Sequence, residues 1–205
     1  METRGSCRCG IDALQLMTEL RNFHTVVKLE MILNLAQRVY DHGQAMLNCN
    51  DCRRSLPQSS FLTIPALAEQ CISLFEAVCS AYSITRRATI FDPNLLAYEQ
   101  PMPQFICIRS TVQLGVTDLE DHEASMLVRM LLNRSSMKLL GLLEALQNIL
   151  RTIPTDSQVH RAGASTLRTC DSSVESIIHS FAVFMEQIKI ERGSRLVLRQ
   201  NITGS

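Results

Sequence analysis

Residues 117–150 read TDLEDHEASMLVRMLLNRSSMKLLGLLEALQNIL. Thr117-Asp118-Leu119-Glu120 has the capping-box order, in which a Thr hydroxyl accepts the backbone N–H three residues on while the Glu side chain reaches back. Beyond it Val128, Leu131, Leu132, Leu139, Leu142, Leu146 and Ile149 recur at helical spacing, and Leu127, Met130, Met137, Leu140 and Leu143 widen the stripe. A helix apolar over so much of its circumference is covered by neighbours on more than one side. The segment is read as the central helix of an all-α domain.

Working outward, Ile11, Leu14, Met17 and Leu20 mark a short amphipathic helix ending near Phe23, with Thr25 a candidate cap for the next. Leu29, Ile32, Ala36, Val39, Gly43 and Met46 alternate three and four apart, a seam suited to packing against another helix at a shallow angle. Residues 49–57, rich in Asn, Asp, Ser and ending in Pro57, read as a loop. A third helix starts around Thr63-Ile64-Pro65 and buries Leu67, Cys71, Leu74, Val78 and Tyr82 before running out by Arg86-Arg87.

Pro93, Pro101 and Pro103 make residues 88–116 an irregular excursion, in which Phe105-Ile106-Cys107-Ile108 is a short apolar patch suited to an extended conformation. After a break at Pro154-Thr155-Asp156, residues 157–169 carry a thin stripe of Val159, Ala162, Thr166 and Leu167. A second capping box, Ser172-Ser173-Val174-Glu175, opens a helix through Ile177, Ile178, Phe181, Phe184, Met185 and Ile188, with Gly193 placed to close it. The expectation is one helical domain over residues 1–192, of about five or six helices with one long irregular loop, and a flexible tail at 193–205.

Composition narrows the function classes. The 205 residues are 46% apolar and contain no Trp, so aliphatic side chains and Met fill the core. Lys+Arg and Asp+Glu both number 20, and no clustered basic face stands out, which argues against direct contact with nucleic acid. No apolar run reaches the roughly 18–20 residues that span a membrane, and the first residues lack a secretory-signal pattern. An intracellular setting with mostly reduced thiols follows as an expectation. The sequons at Asn133 and Asn201 are then chance matches.

Cysteine is the main chemical signal. Cys7, Cys9, Cys49 and Cys52 are the candidate metal ligands, since Cys-x-x-Cys is a spacing of structural zinc sites. A Cys-x-Cys and a single Cys-x-x-Cys do not make a zinc motif by themselves, so the expected reading is thiols at loops and helix ends, with no metal and no cofactor. Cys71 and Cys79 fall on an apolar stripe and read as small hydrophobes. His24, His42, His122, His160 and His179 are scattered, and no phosphate loop, His-Glu-x-x-His or Gly-x-Ser-x-Gly is present. No catalytic residue is assigned, and the chain is not read as an enzyme. Asp118, Glu120, Asp121 and Glu123 suit a helix start through the dipole alone. Arg53-Arg54 and Arg86-Arg87 read as solvated loops, and the nine Met as core filler.

The order Cys9-x4-Leu14-x-Leu16-Met17-x2-Leu20, then Ala45-Met46-Leu47-x-Cys49-x2-Cys52, then Gln113-Leu114-Gly115-Val116-x2-Leu119-x3-Glu123 resembles the regulatory region of the aflatoxin-regulator family of fungal zinc-cluster transcription factors. The resemblance runs from about Cys7 to about Ile188. It implies a nuclear regulator of secondary-metabolite (mycotoxin-type) gene expression, with a co-regulator protein or a second copy of itself as partner. DNA would be reached only through a six-cysteine basic zinc-cluster segment that these residues do not contain. A small-molecule sensor with an apolar pocket between Met-rich faces, and an enzyme with dispersed catalytic groups, are the alternatives.

Overall fold

The structure, a computed structural model, describes residues 7–23, 25–54, 60–84, 105–152 and 161–189. Within them lie six α-helices: α1 (Cys9–Arg21), α2 (Leu29–Asn48), α3 (Asn50–Arg54), α4 (Thr63–Ala81), α5 (Asp121–Thr152) and α6 (Arg161–Ile188). Four short strands accompany them: β1 (Val26–Lys28), β2 (Ile106–Ile108), β3 (Gln113–Leu114) and β4 (Thr117–Asp118). The domain is all-α, as expected. The 88–104 part of the excursion, the break at 153–156, Arg86-Arg87 and the tail lie outside the described residues.

Burial moves the centre of the fold from α5 to α4. Eleven residues of α4 are buried, from Ile64 and Pro65 through Leu67, Ala68, Cys71, Leu74, Phe75 and Val78 to Cys79. It packs against α2, α5 and α6 together. Against the expectation that no run would be, α4 alone among the described helices is long and apolar enough to cross a membrane; 61% of its apolar window is buried inside the protein, which accounts for that composition. The longer α5 buries Val128, Leu132, Leu139, Leu142, Leu143 and Leu146 but leaves Met126, Met130 and Met137 in solvent. Its periodicity is legible in the sequence, and among the described residues α2, α4 and α6 are the helices that pack against it, on one side.

The α2 seam packs as its spacing implies: Leu29, Ile32, Ala36, Val39, Gly43 and Met46 are all buried. Gly43 is a close-approach position. A Cβ there would stand 2.9 Å from Leu142 Cδ1 and nearer still to Cδ2, so the α2–α5 contact depends on a missing side chain. Lys138 Nζ donates to Gln37 Oε1 at 2.6 Å across the same interface.

Several local expectations are corrected. α5 begins at Asp121, not at Thr117: the Glu123 carboxylate accepts the Glu120 N–H at 3.0 Å, so the back-reaching half of a capping box sits three residues later. Thr117 and Asp118 instead pair with Leu114 and Gln113 in a hairpin turned at Gly115, whose φ of 66° suits glycine. Thr25 caps nothing. Its carbonyl accepts the Ile106 N–H at 2.7 Å, where β1 and β2 run parallel.

On α1 the buried face is Ala13, Leu16 and Leu20, leaving Ile11 and Leu14 over 60% exposed (63% and 64%). Residues 50–54 form a one-turn helix rather than loop. Ser172 and Ser173 lie inside the continuous α6, because propagating a helix adds a bond per residue whereas restarting one meets the nucleation cost.

The α4 C-terminus joins the excursion to the core. Ser83 at φ 51° and the bond from Ile84 N to Cys79 O (2.9 Å) close the helix in a Schellman arrangement, with Ser where Gly is usual. Tyr82, fully buried, accepts the Ser110 N–H at 3.3 Å, and Arg109 stacks over its ring. Ser125 Oγ donates to Tyr82 O at 2.7 Å and Arg129 Nη2 to Ile84 O at 3.0 Å. On the opposite side, Arg38 donates in a fork to Glu19 at 2.5 and 2.9 Å, fastening α1 to α2.

Two tests follow from this packing. Gly43→Ala is expected to lower stability by about 1 kcal/mol, because overpacking of about 1–3 kcal/mol outweighs a propensity gain of about 1. Gly141→Ala, with nothing within 4 Å of the new Cβ, is expected to raise stability by up to about 1 kcal/mol; urea melts of both read the signs. The Arg38 hydrogen bonds hold the Glu19 carboxyl below its usual range, so its contribution is present at neutral pH and is lost as pH falls through that lowered value. Glu19→Gln is therefore expected to cost at most about 1 kcal/mol at pH 7, a difference that closes in acid.

Candidate metal centre

Two stretches of chain, the start of α1 and the α2–α3 turn, bring four thiols to one place. Cys7 precedes α1 and Cys9 is its first residue; Cys49 is the C-cap of α2; Cys52 rides on α3. The turn from α2 into α3 is fixed locally. Cys49 N bonds to Met46 O at 3.1 Å, Arg53 N to Cys49 O at 3.1 Å, and the Arg53 Nε–H caps the Leu47 carbonyl at 2.7 Å. Arg53, read as a solvated loop cation, is thus a helix-terminus cap through its side chain. The α1–α2 contact, held by Leu16, Leu20 and the Glu19–Arg38 pair, then sets the Cys7-x-Cys9 segment against this turn.

All four sulfurs lie within 4.8 Å of one another, and Cys7 Sγ is 3.5 Å from Cys52 Sγ. That separation is far beyond the roughly 2.05 Å of a disulfide, so none of the four is disulfide-bonded. Cys52 is 5% exposed and the other three are half-buried. The group contains no histidine or carboxylate, so it offers soft sulfur donors alone.

Electrostatics divides the four. Hydrogen bonds from the backbone N–H of Cys52 and of Asp51 hold the Cys49 thiol below its ordinary range, since both favour the thiolate. Burial pushes Cys9 up to about 11 and also raises Cys52. Away from the cluster, burial pushes Cys71 up to about 12 and Cys170 to about 11, as expected of thiols that pack as apolar groups.

The other residues singled out in the sequence do not converge. Asp118 accepts from Gln113, Asp121 pairs with Arg109, and Glu123 caps α5, so these acids are spent on local structure. His42 sits half-buried on α2, where burial lowers its pKa, and His179 lines an open cleft of about 320 Å³ between α4 and α6. His24 and His160 lie outside the described residues. Of the methionines, Met46 is fully buried, whereas Met31, Met126, Met130 and Met137 are exposed, correcting the reading of Met as core filler.

In chelator-stripped protein, limited alkylation at pH 8 is expected to label Cys49 about tenfold faster than Cys9 or Cys52; peptide mass mapping gives the order. No family model matches the chain, and neither the search of curated proteins nor that of solved structures finds a match.

Proposed function

We propose that this chain is a regulatory, protein-interaction domain of a fungal transcription factor that governs secondary-metabolite (mycotoxin-type) genes in the nucleus. The resemblance to the aflatoxin-regulator family carries the biological setting. The exposed methionine line on α5 carries the mode of action. Met126, Met130 and Met137 are 48%, 60% and 55% exposed on a helix whose other long apolar residues are largely covered. At about 100° per residue they fall within about 40° of one another, and they span about 16 Å along the axis. Methionine surfaces adapt to varied apolar partners, and an amphipathic helix of a co-regulator fits a line of this length. DNA would be reached through a zinc-cluster segment outside these residues. No catalytic role is assigned.

The sensor alternative called for an apolar pocket between Met-rich faces. The α4–α6 cleft is instead lined by Glu69, Glu76, His179 and Phe184 among others and carries no methionine, so the interaction reading is preferred.

Fusion of the domain to an unrelated DNA-binding module tests the proposal in a reporter assay. The expected outcome is reporter control that Met130→Glu weakens about tenfold or more, since burying one such side chain contributes about 1.5–3 kcal/mol. An unchanged melting temperature shows that the variant stays folded. Reporter control indifferent to Met130→Glu and Met137→Glu overturns the methionine line as the contact. Sedimentation of the domain alone separates a co-regulator from a second copy.

A further inference from the structure

We propose that Cys7, Cys9, Cys49 and Cys52 form a structural zinc site that staples α1 to the α2–α3 turn. This four-thiol site lies within the helical domain and is distinct from any six-cysteine DNA-binding cluster. A regular tetrahedron of sulfurs about 2.3 Å from zinc has edges of about 3.8 Å. The observed Cys7–Cys52 separation of 3.5 Å and the 4.8 Å outer limit bracket that edge. Sulfurs this close enclose one ion and leave no room for a multi-iron cluster, and four thiolates in a closed shell select zinc among common divalent ions.

The surroundings suit a tetrathiolate. The backbone N–H groups of Asp51 and Cys52 are hydrogen-bond donors to Cys49 Sγ, the kind of contact that orients a metal-ligating sulfur. Cys9 sits in the first turn of α1, where the helix dipole favours negative charge. Binding converts four thiols and one Zn²⁺ into a zinc tetrathiolate of net charge −2, with four protons passing to solvent. Arg8 lies between the first pair of ligands in sequence and Arg53 follows the last, so cations adjoin both halves of that charge.

The arrangement has no comparable purpose without an ion. The buried thiols elsewhere, Cys71 and Cys79 on α4, Cys107 on β2 and Cys170 on α6, stand apart from this group, whereas these four converge from two stretches of chain with their sulfurs within 4.8 Å. α1 is also the helix that most needs a staple. It buries only three residues against eight in α2 and eleven in α4, and its N-cap, Arg8, like those of α2 and α4, makes no side-chain capping bond. Four ligands closing a loop of 45 residues between Cys7 and Cys52 would anchor that uncapped end.

The full chain, purified under reducing conditions and given Zn²⁺ alone, tests this by native mass spectrometry. One zinc per chain is expected, lost in Cys49→Ser/Cys52→Ser and retained in Cys79→Ala. Cobalt substitution of the wild-type chain covers the case in which the serine variant does not fold. Intense tetrahedral ligand-field bands with a thiolate charge-transfer band support the site; weak octahedral bands overturn it. Hydrogen exchange supplies the structural readout: chelation should release protection in residues 9–21 while residues 63–81 stay protected, and Zn²⁺ should restore it. Absence of bound zinc in the reduced wild-type chain, or stoichiometric zinc in a folded Cys49→Ser/Cys52→Ser variant, overturns the proposal.

Discussion

The burial of Thr63–Ala81 between α2, α5 and α6 supplies the core on which the remaining elements settle. Residues on nearly every side of α4 leave water, at about 1.5–3 kcal/mol for each large aliphatic or aromatic side chain, and three amphipathic helices lend one face each to cover it. Close approach of these helices is not automatic. Gly43 lets α2 come up to Leu142 on α5, and a one-carbon change would push the two apart. Tyr82, at the end of α4, satisfies its buried hydroxyl with the Ser110 backbone and so joins residues 105–112 to the helical body. Core burial and a few buried polar bonds thus act on the same helix.

The N-terminal helix stands apart from this economy. α1 touches the body through a thin face, with Ile11 and Leu14 left outside. Its attachments are the forked Glu19–Arg38 bonds, worth little in solvent, and the convergence of four thiols at its uncapped end. A domain with a strong centre and a lightly held first helix invites a local constraint there. An ion at the thiol cluster would supply it without enlarging the core.

The helices were legible because the 3.6-residue period of buried residues is written into the chain. The α2 seam and the α4 stripe were read residue by residue and lie in the core. Signals that act over a few residues were less dependable. Two capping boxes were read one helical turn or more from where helices start, since the same Ser, Thr and Glu residues serve hairpins and helix interiors once tertiary packing extends the neighbouring helix. The α1 face was misassigned because Ile11-x-x-Leu14-x-x-Met17 and Ala13-x-x-Leu16-x-x-x-Leu20 are both periodic, and only the position of α2 selects between them. Four exposed methionines were taken for core by the same ambiguity.

By itself the sequence determined that this protein is helical, where α2, α4 and the body of α5 run, and which cysteines had metal-ligand spacing. Those are properties of local periodicity and local spacing. Tertiary structure alone decided that α4 rather than α5 is central, that β1 pairs with β2 across about eighty positions, and that Cys7 and Cys9 meet Cys49 and Cys52. Contacts between residues far apart in the chain follow from how apolar faces are shared out among helices. That sharing is a property of the whole packed core, which no short segment encodes.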